Sequence, residues 1–173
     1  KLKQKIKKAT RYWALYSFAV AKWGWSAVDD DVVVTILRPQ KLILDPEAVV
    51  DEDGTYLGEY IGEYRESTAK LLISRFPEKE EFLTGKVQGN LGTNITYIEW
   101  WTDDFCFFTL DNTLLGKMQN PHWNYKGEDI QTIDDFGQPV TQPAPEPYNH
   151  FHSPKKPYSF LNVFSIGKHP WDE

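Results

Sequence analysis

The sequence predicts an α+β fold, in which one N-terminal helix is followed by a mainly antiparallel β domain with one or two short helices. First, apolar residues near the start of the chain recur at three- and four-residue spacing, as on one face of a helix. Second, runs of β-branched and aromatic residues are separated by short polar turns, as in antiparallel hairpins. Third, a segment with an N-cap residue and a closing Phe-Pro predicts a short helix among the strands.

The N-terminal segment 1–24 is predicted to be a basic amphipathic helix. Gly24 is a suitable end for it, because glycine readily adopts the left-handed conformation that a C-terminal cap requires. The predicted apolar face, over residues 2 to about 22, consists of Leu2, Ile6, Ala9, Trp13, Tyr16 and Val20.

Residues 25–119 are predicted to form the main β domain. The dipeptides Asp103-Asp104 and Asp111-Asn112 are two-residue connections that fit tight hairpins in an antiparallel meander. The middle strand of this meander, at 105–110, has apolar residues on both faces, so we expect both faces to be covered. Strands are predicted at 25–28, 32–37, 42–44, 56–64, 95–101, 105–110 and 113–118.

Two local features modify this β domain. Segment 67–83 is predicted to be a short helix that begins at the N-cap Ser67, stops before Pro77 and adds a further turn or two up to Leu83. The glycines in the alternating strand 56–64 predict a bulge or a close approach of another group to the backbone.

The last part of the chain is predicted to be an extended loop and one strand. Residues 120–157 contain seven prolines and little apolar periodicity, which is typical of a proline-rich extended loop. Residues 158–173 are predicted to be a final strand that leads to a further, downstream part. Because the chain begins without Met and stops directly after this aromatic segment, we expect it to be a fragment of a longer protein.

The content of 40% hydrophobic and 15% aromatic residues is ample for a packed core and excludes a wholly disordered chain.

Charge is distributed unevenly along the chain. Residues 1–28 carry seven Lys or Arg and no acid, whereas residues 29–173 carry 12 basic and 25 acidic residues. An acidic body repels a DNA duplex, so nucleic acid would meet only the basic arm. The candidate phosphate or partner contacts are Lys1, Lys3, Lys5, Lys7, Lys8 and Arg11, and the alternative is a solvated helical face.

The cysteine content and the N-terminal segment indicate where the chain folds. A single cysteine, Cys106, excludes an intrachain disulfide and predicts an intracellular folding compartment. The basic start is not followed by a convincing signal-peptide core, a cleavage site or a membrane span, so no membrane partner is expected.

Two groups of residues were considered as metal ligands. His150 and His152, with His122 and His169, supply imidazoles, but their spacing fixes no third ligand. The segment 51–54 resembles the start of a calcium loop, but glycine stands where such a loop needs a bidentate glutamate, which favours a solvated acidic turn. The sequence therefore predicts no metal site and no cofactor.

Aromatic residues near an acid suggest two further functions. Glu99 lies beside Trp100 and Trp101, where an aromatic wall would raise the pKa of a glycosidase acid, but no partner carboxylate is fixed by the sequence. Stacked aromatic rings also bind sugars, but the tryptophans are scattered and fit packing or protein contacts equally well. Phosphate-binding, nucleophile-elbow and Cys-x-x-Cys motifs are absent, so we expect no enzyme activity.

Four segments occur in an order that carries a family resemblance: LILDPEA at 42–48, STAKLLISRFP at 67–77, ITYIEWWTDDFCFFTLDNTLLGKMQNPHW at 95–123 and KKPYSFLNVFSIGKHPWDE at 155–173. In this order and spacing, they resemble the portal proteins of tailed bacteriophages over roughly residues 10–173. The chain is most similar to the wing region, upstream of the helices that line the DNA channel.

The resemblance implies a structural function. A portal protein forms a homo-oligomeric ring, usually a dodecamer, at one vertex of the capsid, and double-stranded DNA passes through its channel during packaging and ejection. The implied partners are the major capsid and scaffolding proteins, the terminase and the head–tail adaptor proteins. The implied location is the virion, with assembly in the host cytoplasm. The alternatives are an aromatic-rich β domain that binds carbohydrate or protein and, third, a glycoside hydrolase that uses Glu99.

Overall fold

The chain folds into a helix followed by antiparallel sheets, as a computed structural model shows for residues 2–26, 30–121, 130–133, 138–142 and 155–162. The predicted α+β class is confirmed. The helices of these residues are α1 (Leu2–Tyr16), α2 (Ala69–Arg75) and α3 (Glu80–Lys86). The strands are β1 (Phe18–Ser26), β2 (Asp31–Leu37), β3 (Leu42–Leu44), β4 (Val49–Val50), β5 (Tyr56–Leu57), β6 (Tyr60–Thr68), β7 (Asn94–Thr102), β8 (Phe105–Leu110), β9 (Thr113–Gln119), β10 (Ile130–Ile133), β11 (Pro139–Gln142) and β12 (Tyr158–Asn162).

Two antiparallel sheets enclose the core. The first, called here the five-stranded sheet, has the order β3-β6-β7-β8-β9, and the second, the three-stranded sheet, has the order β12-β1-β2. Two small pairs, β4 with β5 and β10 with β11, lie outside them. Buried residues from both sheets and from α2 and α3 form one cluster, which includes Phe18, Val20, Ile61, Leu72 and Leu83. Sequence-distant segments therefore share one core.

The predicted helix 1–24 is too long, because α1 ends at Tyr16 and β1 begins at Phe18. Ser17 makes the break with a left-handed φ of 62°. Residues 18–20 are all buried, so both faces of this part of β1 are covered, and its backbone pairs with β12 and, from Val20 on, with β2. Long-range strand pairing has overridden the local helical periodicity. Gly24 is consequently a mid-strand residue opposite Val33 and does not cap a helix.

The predicted meander is confirmed as β7, β8 and β9. Asp111 and Asn112 both adopt positive φ, at 47° and 63°, as a tight hairpin turn of primed type requires. The expectation that both faces of β8 are covered is wrong for one face. Cys106 and Phe108 are buried, but Phe105 on the opposite face is 39% exposed.

The remaining elements differ from prediction in detail. The alternating segment 56–64 is divided into β5 and the start of β6, because the N–H of Glu59 donates to the buried Asp45 carboxylate. Close approach at a glycine is confirmed at Gly62, where a Cβ would lie 2.8 Å from the ring of Trp100. The N-cap of α2 is Thr68, which accepts from the N–H of Leu71, and not Ser67.

The predicted extended loop 120–157 is not a loop throughout, because β10 and β11 pair within it. The predicted final strand at 158–173 is present as β12 over Tyr158–Asn162. Residues 122–129, 134–137, 143–154 and 163–173 lie outside the described part of the chain.

Candidate functional site

Two groups of charged and polar residues link the two sheets. The first, called here the charge cluster, centres on Lys22 of β1 and on Glu63 and Glu99, which face each other across β6 and β7. The Nζ atom of Lys22 lies 2.7 Å from Oε2 of Glu63 and 2.5 Å from Oε1 of Glu99. Their side chains are 13%, 5% and 9% exposed, respectively. Directly opposed carboxylates repel each other, so the ammonium group makes this pairing tolerable.

Hydrogen bonds complete the charge cluster. The indole N–H of Trp101 donates to Oε1 of Glu99 over 2.6 Å, and the hydroxyl of Tyr158 donates to Oε2 of Glu63 over 3.5 Å. Arg65 adds a second cation, with Nη1 3.4 Å from Glu63 and Nε 3.8 Å from Glu99. The largely buried Lys22 and the partly exposed Arg65, whose side chain is 41% accessible, thus balance the two buried carboxylates.

The pKa of Glu99 contradicts the basis of the glycosidase hypothesis. Burial alone would raise this pKa, but the charge and hydrogen bond of Lys22, with Trp101 and Arg65, outweigh burial and lower it below its ordinary value. A general acid of that class needs a raised pKa to hold its proton at neutral pH. The direction of the Glu99 pKa is therefore opposite to the one that the glycosidase alternative requires, and the cause is Lys22 on the adjoining sheet, which the sequence did not reveal.

The second group, called here the polar junction, centres on Asn120, which is fully buried. Its Nδ2 atom lies 2.9 to 3.0 Å from the carbonyl oxygens of Thr102, Asp103 and Lys155. Its backbone N–H donates to the carbonyl of Asp104 over 2.8 Å. This one side chain therefore joins the end of β9, the β7–β8 turn and the segment that leads into β12.

Lys156 is the charged member of the polar junction. It is only 4% exposed, and its Nζ donates to the carbonyl of Gly58 over 2.7 Å and to Oδ1 of Asp103 over 2.5 Å. Lys155 donates to the other Asp103 oxygen over 3.0 Å. Burial would raise the pKa of Asp103, but the hydrogen bonds and charges of the two lysines outweigh it and lower the pKa. Asp103 is thus an ionised tether for the start of β12.

An open cleft of about 440 Å³ lies beside the polar junction. Asp45 on its wall is buried, and its carboxylate accepts from the N–H groups of Glu47 and Glu59, over 3.0 and 2.7 Å. Residues 45–59 contain six acids and no base. We call this feature the acidic cleft, and its lining residues are Asp45, Glu47, Thr55, Tyr56, Leu57, Gly58, Glu59, Asp103, Lys155 and Lys156.

The basic arm is distinct from both groups. Lys3, Lys5, Lys7, Lys8 and Arg11 lie on α1, and Lys1 is outside the described residues. One of these, Lys8, donates to the carbonyl oxygen of Ile36 over 2.8 Å and so also fastens α1 to β2. Their role as phosphate or partner contacts stays a prediction.

The alternative of a tryptophan platform is not supported by the described residues, whose tryptophans are scattered. Trp101 is buried, Trp13 and Trp23 are half-buried in other places, and only Trp100 lies on the outer face of the five-stranded sheet. Trp123 and Trp171, the side chain of Trp25 and the four histidines considered as metal ligands lie outside the described residues.

A different row of aromatic rings lies on that outer face. Trp100 stacks on Phe107, with ring centroids 6.0 Å apart, and meets the edge of Tyr60 at 5.7 Å. The ammonium group of Lys117 lies 3.4 Å from the ring centre of Phe105. These residues alternate with the buried ones along β6, β7 and β8, so strand periodicity could have revealed the row.

The turn at 51–54 has a structural explanation. The Oδ1 atom of Asp51 accepts from the N–H groups of Asp53 and Thr55, over 3.1 and 2.7 Å. Among the described residues, no group of three or more His, Cys, Asp or Glu side chains is arranged to hold a metal ion. Nor does any helix of that part of the chain have the length and apolar character needed to cross a bilayer.

Comparison with known proteins leaves the family open. No protein-family model matches the chain, and no curated protein matches it. The functional conclusion therefore depends on the residues and on their arrangement.

Proposed function

We propose that this chain is the wing region of a bacteriophage portal protein, a structural subunit of the ring through which DNA enters and leaves the capsid. The observation that carries the proposal is that three of the four segments behind the resemblance supply residues of the polar junction and of the adjoining acidic cleft. Asp45 comes from LILDPEA, Asp103 and Asn120 from the long third segment, and Lys156 from KKPY.

This convergence supports the resemblance because it gives the weak motifs one shared physical role. Asp-Pro and Asn-Pro are ordinary turn signals when they occur alone. Here Asp45, before Pro46, accepts from Glu59, and Asn120, before Pro121, donates to Lys155. Glu99 and Tyr158, from the third and fourth segments, belong to the charge cluster. A pattern spread over more than a hundred residues is thus explained by one unit of structure.

The chemistry of the site favours a structural role over catalysis. Its buried carboxylates are neutralised by lysine and arginine, which fixes the sheets relative to each other. In a portal ring this rigidity transmits load between subunits, while the excess of 25 acids over 12 bases in residues 29–173 repels the passing duplex. Capsid, scaffolding, terminase and adaptor proteins bind elsewhere on the same ring.

The test is to express the protein from its complete reading frame and image it by negative-stain electron microscopy. We expect rings of uniform size with a central hole. A uniformly monomeric protein at micromolar concentration, or compact dimers without a hole, would overturn the proposal.

A second candidate function is carbohydrate binding by the outer aromatic row. The observation that favours it is the 39% exposed ring of Phe105, which lines a shallow depression of about 270 Å³ together with the half-buried Phe107, on which Trp100 stacks. Sugar faces stack on such rings. A glycan array would show binding that Trp100→Ala abolishes, whereas an array without specific binding would exclude this function.

A further inference from the structure

Helix α1 has an apolar stripe, and only its C-terminal half packs against the rest of the molecule. Ala9, Trp13 and Tyr16 are half-buried against β1 and β2, but Leu2 and Ile6 on the same stripe are 69% and 56% exposed. An isolated helix of 15 residues is marginal in water without packing of its apolar face. The N-terminal half of α1 therefore presents an apolar surface that is available for a partner.

The charges of α1 define the chemistry of that partner. The helix carries five basic residues and no acid, and its first turn contains no acid to interact favourably with the positive end of the helix dipole. Lys3 and Lys7 are both exposed. An acidic surface with an exposed apolar residue would complement both the positive charge of α1 and its apolar stripe.

The acidic cleft is such a surface. Leu57 on its rim is 53% exposed, and Glu47 and Glu59 flank it as exposed carboxylates. The two lysines of its wall are already paired with Asp103, so they do not cancel the acids around Leu57. Charge and apolar character are thus complementary between α1 and the cleft.

The two surfaces involve different strands of the three-stranded sheet in one copy. Helix α1 packs on β1 and β2, whereas the cleft is joined to β12 on the other edge, where the N–H of Phe160 donates to the carbonyl of Gly54 over 2.9 Å. A contact between them from one copy to the next is heterologous, and such contacts repeat in one direction until a ring closes.

We propose that the N-terminal half of α1 of one copy docks on the acidic cleft of the next copy, with Leu2 and Ile6 against Leu57 and the lysines against Glu47 and Glu59. This inference rests on the proposed ring, for which it names the contacting surfaces.

Charge reversal on exposed side chains tests the contact without disturbing the core. In sedimentation velocity of the protein over a range of concentrations, Lys3→Glu with Lys7→Glu should weaken self-association by about tenfold or more, and so should Glu47→Lys with Glu59→Lys. All four changes in one chain should restore it. Lys70→Glu with Glu80→Lys is the matched control, since both side chains are exposed on other helices, and it should have no effect.

Cysteine cross-linking tests the direction of the contact. The native Cys106 is buried, and burial raises the pKa of its thiol to about 12, so introduced cysteines react selectively. Ile6→Cys with Leu57→Cys in one chain should give a ladder of cross-linked species on oxidation. A mixture of the two single variants should stop at dimers, and each single variant should stay uncross-linked.

The outcomes separate this inference from the proposed function. Rings that survive both charge reversals would overturn the docking and leave the proposed ring. The same conclusion would follow if a charge reversal abolished binding of α1 to duplex DNA or to anionic vesicles but left self-association unchanged. Failure of the four-change variant to restore association would also overturn the docking. Absence of any self-association would overturn both.

Discussion

Replacement of Lys22 by methionine tests whether the charge cluster holds the two sheets together. Methionine keeps the length and apolar stem of the side chain but removes the ammonium group between Glu63 and Glu99. The two carboxylates would then oppose each other in the interior, with only Arg65 left, at 3.4 and 3.8 Å.

The expected loss of stability is large. Removing one partner of a buried ion pair costs about 3–5 kcal/mol, because the remaining charge stays buried. Arg65 still compensates part of the charge, so we expect the lower end, about 3 kcal/mol, or a roughly 150-fold change in the folding equilibrium. With a urea m-value of about 2 kcal/mol/M, the unfolding midpoint should fall by about 1.5 M.

Urea unfolding followed by far-UV circular dichroism measures this shift. The triple variant Lys22→Met, Glu63→Gln and Glu99→Gln removes the three largely buried charges with little change of volume and leaves Arg65, which is 41% exposed, to be solvated by water, so it should recover most of the loss. Lys41→Met breaks the exposed 2.8 Å pair with Glu66 and is the surface control, for which we expect a nearly unchanged midpoint. A midpoint for Lys22→Met within 0.3 M of the parent, taken as about a fifth of the calculated shift, or a triple variant no more stable than the single one, would refute the reasoning.

Three further predictions concern stability. In the folded protein the pKa values of Glu99 and Asp103 lie below their ordinary values of 4.5 and 3.8. Their contribution to the free energy of unfolding is therefore fully present above those ordinary values and is lost as the pH falls through the folded pKa values, so the urea midpoint should decline on acidification below about pH 5. A midpoint that stays constant down to about pH 3 would contradict this. Asn120→Ala should cost about 3 kcal/mol, because three carbonyls lose their donor, and thermal unfolding should show a lower Tm; an unchanged Tm would remove Asn120 from the polar junction. Gly54→Ala should prevent native docking of β12, because φ is +77° and a Cβ would clash with the carbonyl oxygen of Phe160. A Cβ at Gly24 would meet nothing within 4 Å, so Gly24→Ala should be tolerated. Equal effects of the two changes on soluble yield and Tm would contradict the described backbone.

The elements that the sequence predicted well are those whose formation depends on signals in neighbouring residues. The meander followed from alternating residues between two-residue turns, and the short helix followed from its polar N-cap region and Pro77. By contrast, the first 24 residues contain a helical stripe that continues without interruption to Val20. The pairing of β1 with β12, more than 130 residues away, and the pairing of Val20 with Leu37 of β2 hold residues 18–20 in an extended conformation.

The candidate site was hidden from sequence analysis for the same reason. Lys22, Glu63 and Glu99 are unremarkable when read along the chain, because lysine and glutamate are usually solvent-exposed. Strand alternation places Glu63 with Ile61 on the buried face, and this signal was available. The partner of these carboxylates lies on another sheet, and no short-range pattern specifies it.

The order β12-β1-β2 also affects how the protein folds during synthesis. The middle strand of this sheet is made first, but one neighbour is completed only when residue 162 has been added. At about 5–20 residues per second, the ribosome needs roughly 7–30 s to proceed from β1 to β12. The five-stranded sheet lies wholly between them in sequence and is able to form in this interval, while the free edge of β1 stays open to chaperones or to a neighbouring nascent chain. Placing a strong translational pause before β12 should therefore increase aggregation more than the same pause placed after it.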